Sequence, residues 1–161
     1  DICNLRQGYK ACKGRNTKIS NFFNRGWRLR ACNEHLGIAL VLDVPPALSM
    51  TGDPTQLQQV LLNLFNNALD ALGSIGQADK HIDVCTRVLG DRLQLIVEDN
   101  GPGIPPLMQS SVFELFKTTK ADGMGVGLWL SKTVVNAHRG DIRFASVSGR
   151  GARFEVELPV D

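Results

Sequence analysis

The chain has 161 residues, 43% of them hydrophobic and 21% charged, with a net charge of +2. That length suits one domain able to bury roughly 68–70% of its unfolded surface, and so small a net charge gives no argument for a nucleic-acid or membrane-surface binder. The positive residues that cluster early (Lys10, Lys13, Arg15, Lys18, Arg25, Arg28, Arg30) read as a solvated or partner-facing surface. Cys3, Cys12, Cys32 and Cys85 show no C-x-x-C spacing and no set of His companions at metal-site distances, so reduced thiols in a cytoplasmic protein are expected. No apolar run approaches the roughly 18–20 residues of a membrane span, so no direct membrane contact is expected. The chain opens on Asp1 without a Met and is read as an excised piece of a longer parent, whose membrane anchor, if it has one, would lie outside this segment.

Residues 1–16 carry no clear pattern and are read as a linker or the tail of a preceding helix, with the main domain running from 17 to 161. Ser20 is a candidate cap for a helix over about 21–36, with Phe22, Phe23, Trp27, Leu29 and Ala31 as its apolar contacts and Gly37 ending it. A strand is expected over Ile38 to Val44, closed by Pro45-Pro46, with a short one near Leu48 to Thr51. Asp53 to Leu72 reads as one largely buried helix: Asp53 caps it, Pro54 opens it and Gly73 stops it. Gln59, Asn63 and Asn67 stand four apart on its face. Such amides need partners, either a neutral core network or a ligand, most simply a hydrated cation with a phosphate.

Two strands follow, His81 to Leu89 and Arg92 to Asp99, around a Gly90-Asp91 turn. By the two-residue period Leu93, Leu95, Val97 and Asp99 point one way, which aims a carboxylate into the protein. Asp99-Asn100-Gly101-Pro102-Gly103 is either a plain turn or a base pocket, with Asp99 accepting from an exocyclic amine and the glycines leaving room for a flat ring; adenine and guanine both fit. Asn100 to Asp122 is an irregular stretch of the length that tends to be functional, and both Phe113 and Phe116 are expected to dock in the core. Gly123-Met124-Gly125-Val126-Gly127 opens a helix through His138. It fits neither the dinucleotide nor the P-loop pattern, leaving a flexible turn or an anion site at a helix start, with Lys120 well placed to meet a phosphate. Strands over Asp141 to Val147 and Ala152 to Leu158 close an α/β two-layer sandwich. Its sheet is mixed, mostly antiparallel and about five-stranded, with three helices on one face.

These elements, in this order, resemble the ATP-binding catalytic domain of sensor histidine kinases (the Bergerat fold), within the wider ATPase group of gyrase, the MutL mismatch-repair proteins and the 90-kilodalton chaperones. Gln59 to Ala68 looks like the N box, Asp99 to Gly103 the G1 box, Phe113 to Phe116 the F box and Gly123 to Gly127 the G2 box. Gly151-Ala152-Arg153-Phe154 matches the closing segment, and the resemblance covers about residues 20 to 159. It implies a histidine protein kinase of a two-component system that uses ATP and Mg²⁺. Asn67 would be on the metal, Asn63 beside the phosphates, Asp99 on the adenine amine, and residues 104–124 a mobile lid. Asn63 and Lys120 are implied as catalytic. Gly101, Gly103, Ile104, Phe116, Thr118, Thr119, Gly123, Gly125, Val126, Gly127 and Leu128 complete the implied nucleotide pocket.

The implied partners are a dimerisation/phosphoacceptor histidine domain of the same protein and a response-regulator receiver domain, with no nucleic acid. Two departures qualify this. His35, His81 and His138 lie outside the family's phosphoacceptor context, and Asp70 stands where many of these kinases place a basic phosphate ligand. A gyrase-type ATPase is disfavoured, because an amide at position 63 cannot take a proton from water. A nucleotide-dependent interaction module without transfer is the other alternative.

Overall fold

The computed structural model describes residues 27–33, 38–44, 50–73, 75–76, 79–117, 124–146 and 150–160. Among these residues six strands form one sheet: β1 (Trp27–Asn33), β2 (Ile38–Val44), β3 (Lys80–Leu89), β4 (Arg92–Asp99), β5 (Asp141–Ser146) and β6 (Ala152–Pro159). Their spatial order is β1-β2-β3-β4-β6-β5. Every pairing is antiparallel except β2 with β3, which the crossover helix α1 (Pro54–Gly73) makes parallel.

The expected helix over 21–36 is corrected. Residues 27–33 are strand β1, paired with β2 from Trp27↔Val44 to Asn33↔Ile38, while the rest of that stretch lies outside the described residues. Trp27, Leu29 and Ala31 alternate with Arg28 and Arg30, a two-residue period that pairing with β2 converts into a sixth strand. The short strand expected near Leu48 to Thr51 is also absent at Met50 and Thr51, which approach the cap of α1 in irregular chain. Among the described residues the remaining helix is a single turn, α2 (Pro106–Gln109).

Asp53 caps α1 as its chemistry suggests: Oδ1 accepts from the Thr55 N–H at 2.9 Å and the Gln56 N–H at 3.2 Å. The helix is less buried than expected. Val60, Leu64, Ala68 and Leu72 sink into the core, whereas Leu62, Asn66 and Asp70 are exposed, because the sheet covers one face of α1 only. The second long helix, α3 (Gly127–Ala137), lies beside α1 and buries Val134 and Val135. The core sits between these two helices and the inward rows of β3, β4 and β6, with Ile82, Val84, Leu93, Val97, Phe154, Val156 and Leu158 buried. The opposite face carries charge, with Arg143 between Asp141 and Glu157 and Arg153 between Glu98 and Glu155. Among the described residues no helix is long and apolar enough to cross a membrane.

Candidate nucleotide site

The sheet and the two helices leave a cleft of about 540 Å³ between α1, the start of α3 and the chain that follows β4. Asn63, Asn66, Asn67, Asp70 and Ala71 form its α1 wall. Gly125, Val126, Gly127 and Leu128 form the wall at the α3 start, and Asp99, Pro102, Gly103 and Ile104 lie along its floor.

Asp99 ends the inward row of β4 and is 5% exposed. Its Oδ1 accepts from the Gly101 N–H at 2.8 Å and the Ala152 N–H at 3.4 Å. Burial pushes its carboxyl above the ordinary value of 3.8, an effect those two N–H groups oppose in part; Glu98 adds to it and His81 subtracts. A partly desolvated acceptor at the end of a cleft suits a ligand N–H. Asn100 holds the strand end in place: its Oδ1 accepts from the His81 N–H at 2.8 Å and its Nδ2 donates to the Asp79 carbonyl.

Gly101 acts differently from the expectation of room for a ring. It is buried behind Asp99 and is not in the cleft wall; a Cβ there would stand 2.8 Å from Asp99 Oδ1. Its missing side chain lets the carboxylate fold back onto the Gly101 N–H.

The two phenylalanines part company. Phe113 is half-buried and meets Phe144 and Phe154 edge-on, with centroids 5.9 and 6.4 Å apart, while Lys132 Nζ lies 5.2 Å from its ring centroid. Phe116 is not docked in the core: it is 72% exposed and outside the cleft wall. Its backbone takes φ 63° and its N–H donates to the Gly125 carbonyl at 3.0 Å, a turn that sends the ring outward. Gly125 has φ 66°, and a Cβ on it would lie 2.6 Å from the Lys117 nitrogen, so the chain crosses here only because that side chain is missing.

The structure therefore brings together Asn63, Asn67, Asp99, Gly103, Ile104, Gly125, Val126, Gly127 and Leu128 from the sequence-based set. Thr118, Thr119, Lys120 and Gly123 lie outside the described residues. The cleft also gains Lys117, Ala152 and Phe154. Lys117 was legible as the cation next to the Phe pair; Ala152 and Phe154 arrive from β6 by strand pairing alone.

The amides of α1 do not act alike. Asn67 is half-buried in the cleft wall. Asn63 Nδ2 donates to the Gly127 carbonyl at 3.1 Å and to Ser131 Oγ at 3.3 Å, and its Oδ1 accepts from Gln59 Nε2 at 2.8 Å. At the far end of α3 both ring nitrogens of His138 are engaged, by the Asp53 N–H and the Val134 carbonyl. Among the described residues no cluster of three or more His, Cys, Asp or Glu is poised for a metal. A cation here would meet amide and carboxylate oxygens, water and a ligand's own oxygens, a hard-oxygen donor set that suits Mg²⁺ better than Zn²⁺.

Comparison with known proteins agrees with this geometry. The family described as histidine kinase-, DNA gyrase B-, and HSP90-like ATPase matches residues 52–161. The signal transduction histidine-protein kinase AtoS of Escherichia coli is 44% identical over 113 residues, which are 70% of this chain and 18% of that protein. The sensory histidine kinase/phosphatase NtrB of Salmonella typhimurium is 38% identical over 134 residues, 76% of this chain and 37% of that protein. The solved structure of a mycobacterial sensor histidine kinase, MprB, superposes with a TM-score of 0.66 at 28% identity, over 77% of this chain and 83% of that one. The chain thus spans 18% and 37% of the two curated relatives. A match over these residues, on a sheet and cleft of this form, shows that the chain belongs to the histidine kinase-, DNA gyrase B- and HSP90-like ATPase family.

Proposed function

We propose that this domain binds Mg-ATP and donates the γ-phosphoryl group to a histidine on a dimerisation/phosphoacceptor domain of its parent, for relay to a receiver domain. The observation that carries the reading is the Asp99 carboxylate, buried at one end of a cleft whose two walls are Asn67 on α1 and the amino end of α3. Asp99 would accept from the adenine amine, and the exposed N–H groups and dipole at the start of α3 would meet phosphate oxygens. Lys117 would add positive charge within the cleft, with Lys120 as a further candidate. Asn67 would contribute an oxygen to Mg²⁺, and that ion would neutralise charge on the phosphates.

Little covalent chemistry is asked of these residues. They orient the triphosphate and stabilise its charge, and the acceptor imidazole supplies the nucleophile. Gyrase-type hydrolysis is not favoured, since Asn63 offers no carboxylate and spends its amide on Gln59, Gly127 and Ser131. Calorimetric titration of Mg-ATP into the chain and into Asn67→Ala and Asp99→Asn tests the binding step. Both variants are expected to weaken it, Asp99→Asn by about tenfold to a hundredfold, the equivalent of a charged hydrogen bond. Equal affinity in both variants would remove the assignment.

A further inference from the structure

Ser131 is a serine in the middle of α3 with a relative exposure of 0%. Its hydroxyl donates to the Gly127 carbonyl one turn earlier, at 2.9 Å, and accepts from Asn63 Nδ2 at 3.3 Å. Asn63 Nδ2 reaches the same Gly127 carbonyl at 3.1 Å. A carbonyl only accepts, so the group of Asn63 facing it is the NH₂, and both of its hydrogens are in use. The amide oxygen then faces Gln59, whose Nε2 lies 2.8 Å away. Two positions one turn apart on α1 are thereby tied to two positions one turn apart on α3. Asn67 stands one further turn along α1, and Gly127 opens α3, so this tie spans the two walls of the cleft.

We infer that Ser131 is a positioning residue for the nucleotide site, acting through Asn63, and that Asn63 braces the two cleft walls in place of contacting phosphate itself. The inference rests on the nucleotide reading above. Bonding of its NH₂ to Gly127 and Ser131 and of its oxygen to Gln59 leaves Asn63 unable to turn toward a ligand without giving up a bond. Without the serine hydroxyl the amide of Asn63 has one fewer anchor, and the distance from Asn67 to the α3 start is held less tightly. The triphosphate, which bridges both walls, depends on that distance; adenosine, held at the Asp99 end, does not.

The test is a double-mutant cycle with Ser131→Ala, Asn63→Ala and the pair, titrated with Mg-ATP and separately with adenosine. Ser131→Ala is expected to lose about twofold to tenfold in Mg-ATP affinity, the scale of one neutral hydrogen bond, with adenosine unchanged. The double variant is expected to match Asn63→Ala within about twofold. Losses that multiply, or an equal loss for ATP and adenosine, would overturn the inference, since a merely structural serine would behave that way. Side-chain amide exchange in the empty protein provides a readout independent of nucleotide. The Asn63 NH₂ is expected to exchange more slowly than that of the exposed Asn66 and to speed up in Ser131→Ala. Equal exchange for Asn63 and Asn66 would overturn the brace whether or not ATP binds. An intact exchange signature with no ATP binding by the unmutated chain would fault the nucleotide reading, and with it the positioning role.

Discussion

His138 Nε2 accepts a hydrogen bond from the backbone N–H of Asp53 at 2.9 Å, joining the end of α3 to the cap of α1 across 85 positions of sequence. The other ring nitrogen lies 2.8 Å from the Val134 carbonyl. A carbonyl accepts and an N–H donates, so these two partners assign the ring proton to Nδ1. The ring also packs on Gly52, where a Cβ would come within 2.9 Å of it. His138→Ala removes the contact between the two helix ends. An expected loss of about 1 kcal/mol would lower the urea midpoint at unchanged slope, since the freed Asp53 N–H is exposed to water.

Thr86 faces the core at 5% exposure, and among the described residues its Oγ1 has no hydrogen-bond partner. It borders a second cavity, of about 60 Å³, between the first turns of α1 and the sheet, lined by Leu57, Val60, Leu93 and Val156 among others. A buried hydroxyl without a partner costs stability, and Val presents a methyl in its place. Thr86→Val is expected to stabilise the domain by about 1 kcal/mol, a rise in Tm of about 2–4 °C for a chain of this size. A fall in Tm would show that the hydroxyl is satisfied in solution.

Two glycines near the site should respond very differently to an added methyl. Gly151 has φ 94°, and a Cβ on it would overlap the Asp99 carbonyl oxygen. Gly151→Ala is therefore expected to cost on the order of 3 kcal/mol or more and to disturb the strand end that carries Asp99. At Gly127 the nearest contact of an added Cβ is the Asn63 side chain, at an ordinary 3.7 Å. Gly127→Ala should shift stability by no more than about 0.5 kcal/mol. Parallel melts of the two variants check the contrast.

The raised pKa of Asp99 predicts a pH dependence of stability. The folded state holds this proton at a pH where the unfolded state has released it, so stability falls as pH climbs from the ordinary value of 3.8 through the raised one. Above that window the full cost of the buried charge is present. Asp99→Asn removes the charge and keeps an acceptor for the Gly101 and Ala152 N–H groups. In the absence of nucleotide this variant is expected to melt above the unmutated chain at pH 7, with the difference fading below about pH 3.8. A variant that melts lower at pH 7 would show that the carboxylate is stabilised in the empty domain.

What the sequence disclosed follows from where the relevant forces are local. The α1 boundaries rest on Asp53, Pro54 and Gly73, which act on their own neighbours, and the inward row of β4 follows from strict alternation. Strand β1 was hidden because Phe22, Phe23 and Trp27 also fit a helical spacing, and only its ladder with β2 decides between the two. Phe113 and Phe116 are chemically identical and three residues apart; the left-handed backbone at Phe116 and its bond to Gly125 separate them, and neither is written locally. Ser131 looks like any polar helix residue. Its burial comes from the packing of α1 against α3, and its partner is 68 positions away.

Phosphoryl transfer from γ-labelled ATP to a separately supplied acceptor domain of the parent protein tests the central claim most directly. The account predicts no label on this chain alone, label on the acceptor histidine when both are mixed with Mg²⁺, and loss of that label with Asn67→Ala. Label on His35, His81 or His138 of this chain, or no transfer while ATP is demonstrably bound, would contradict it.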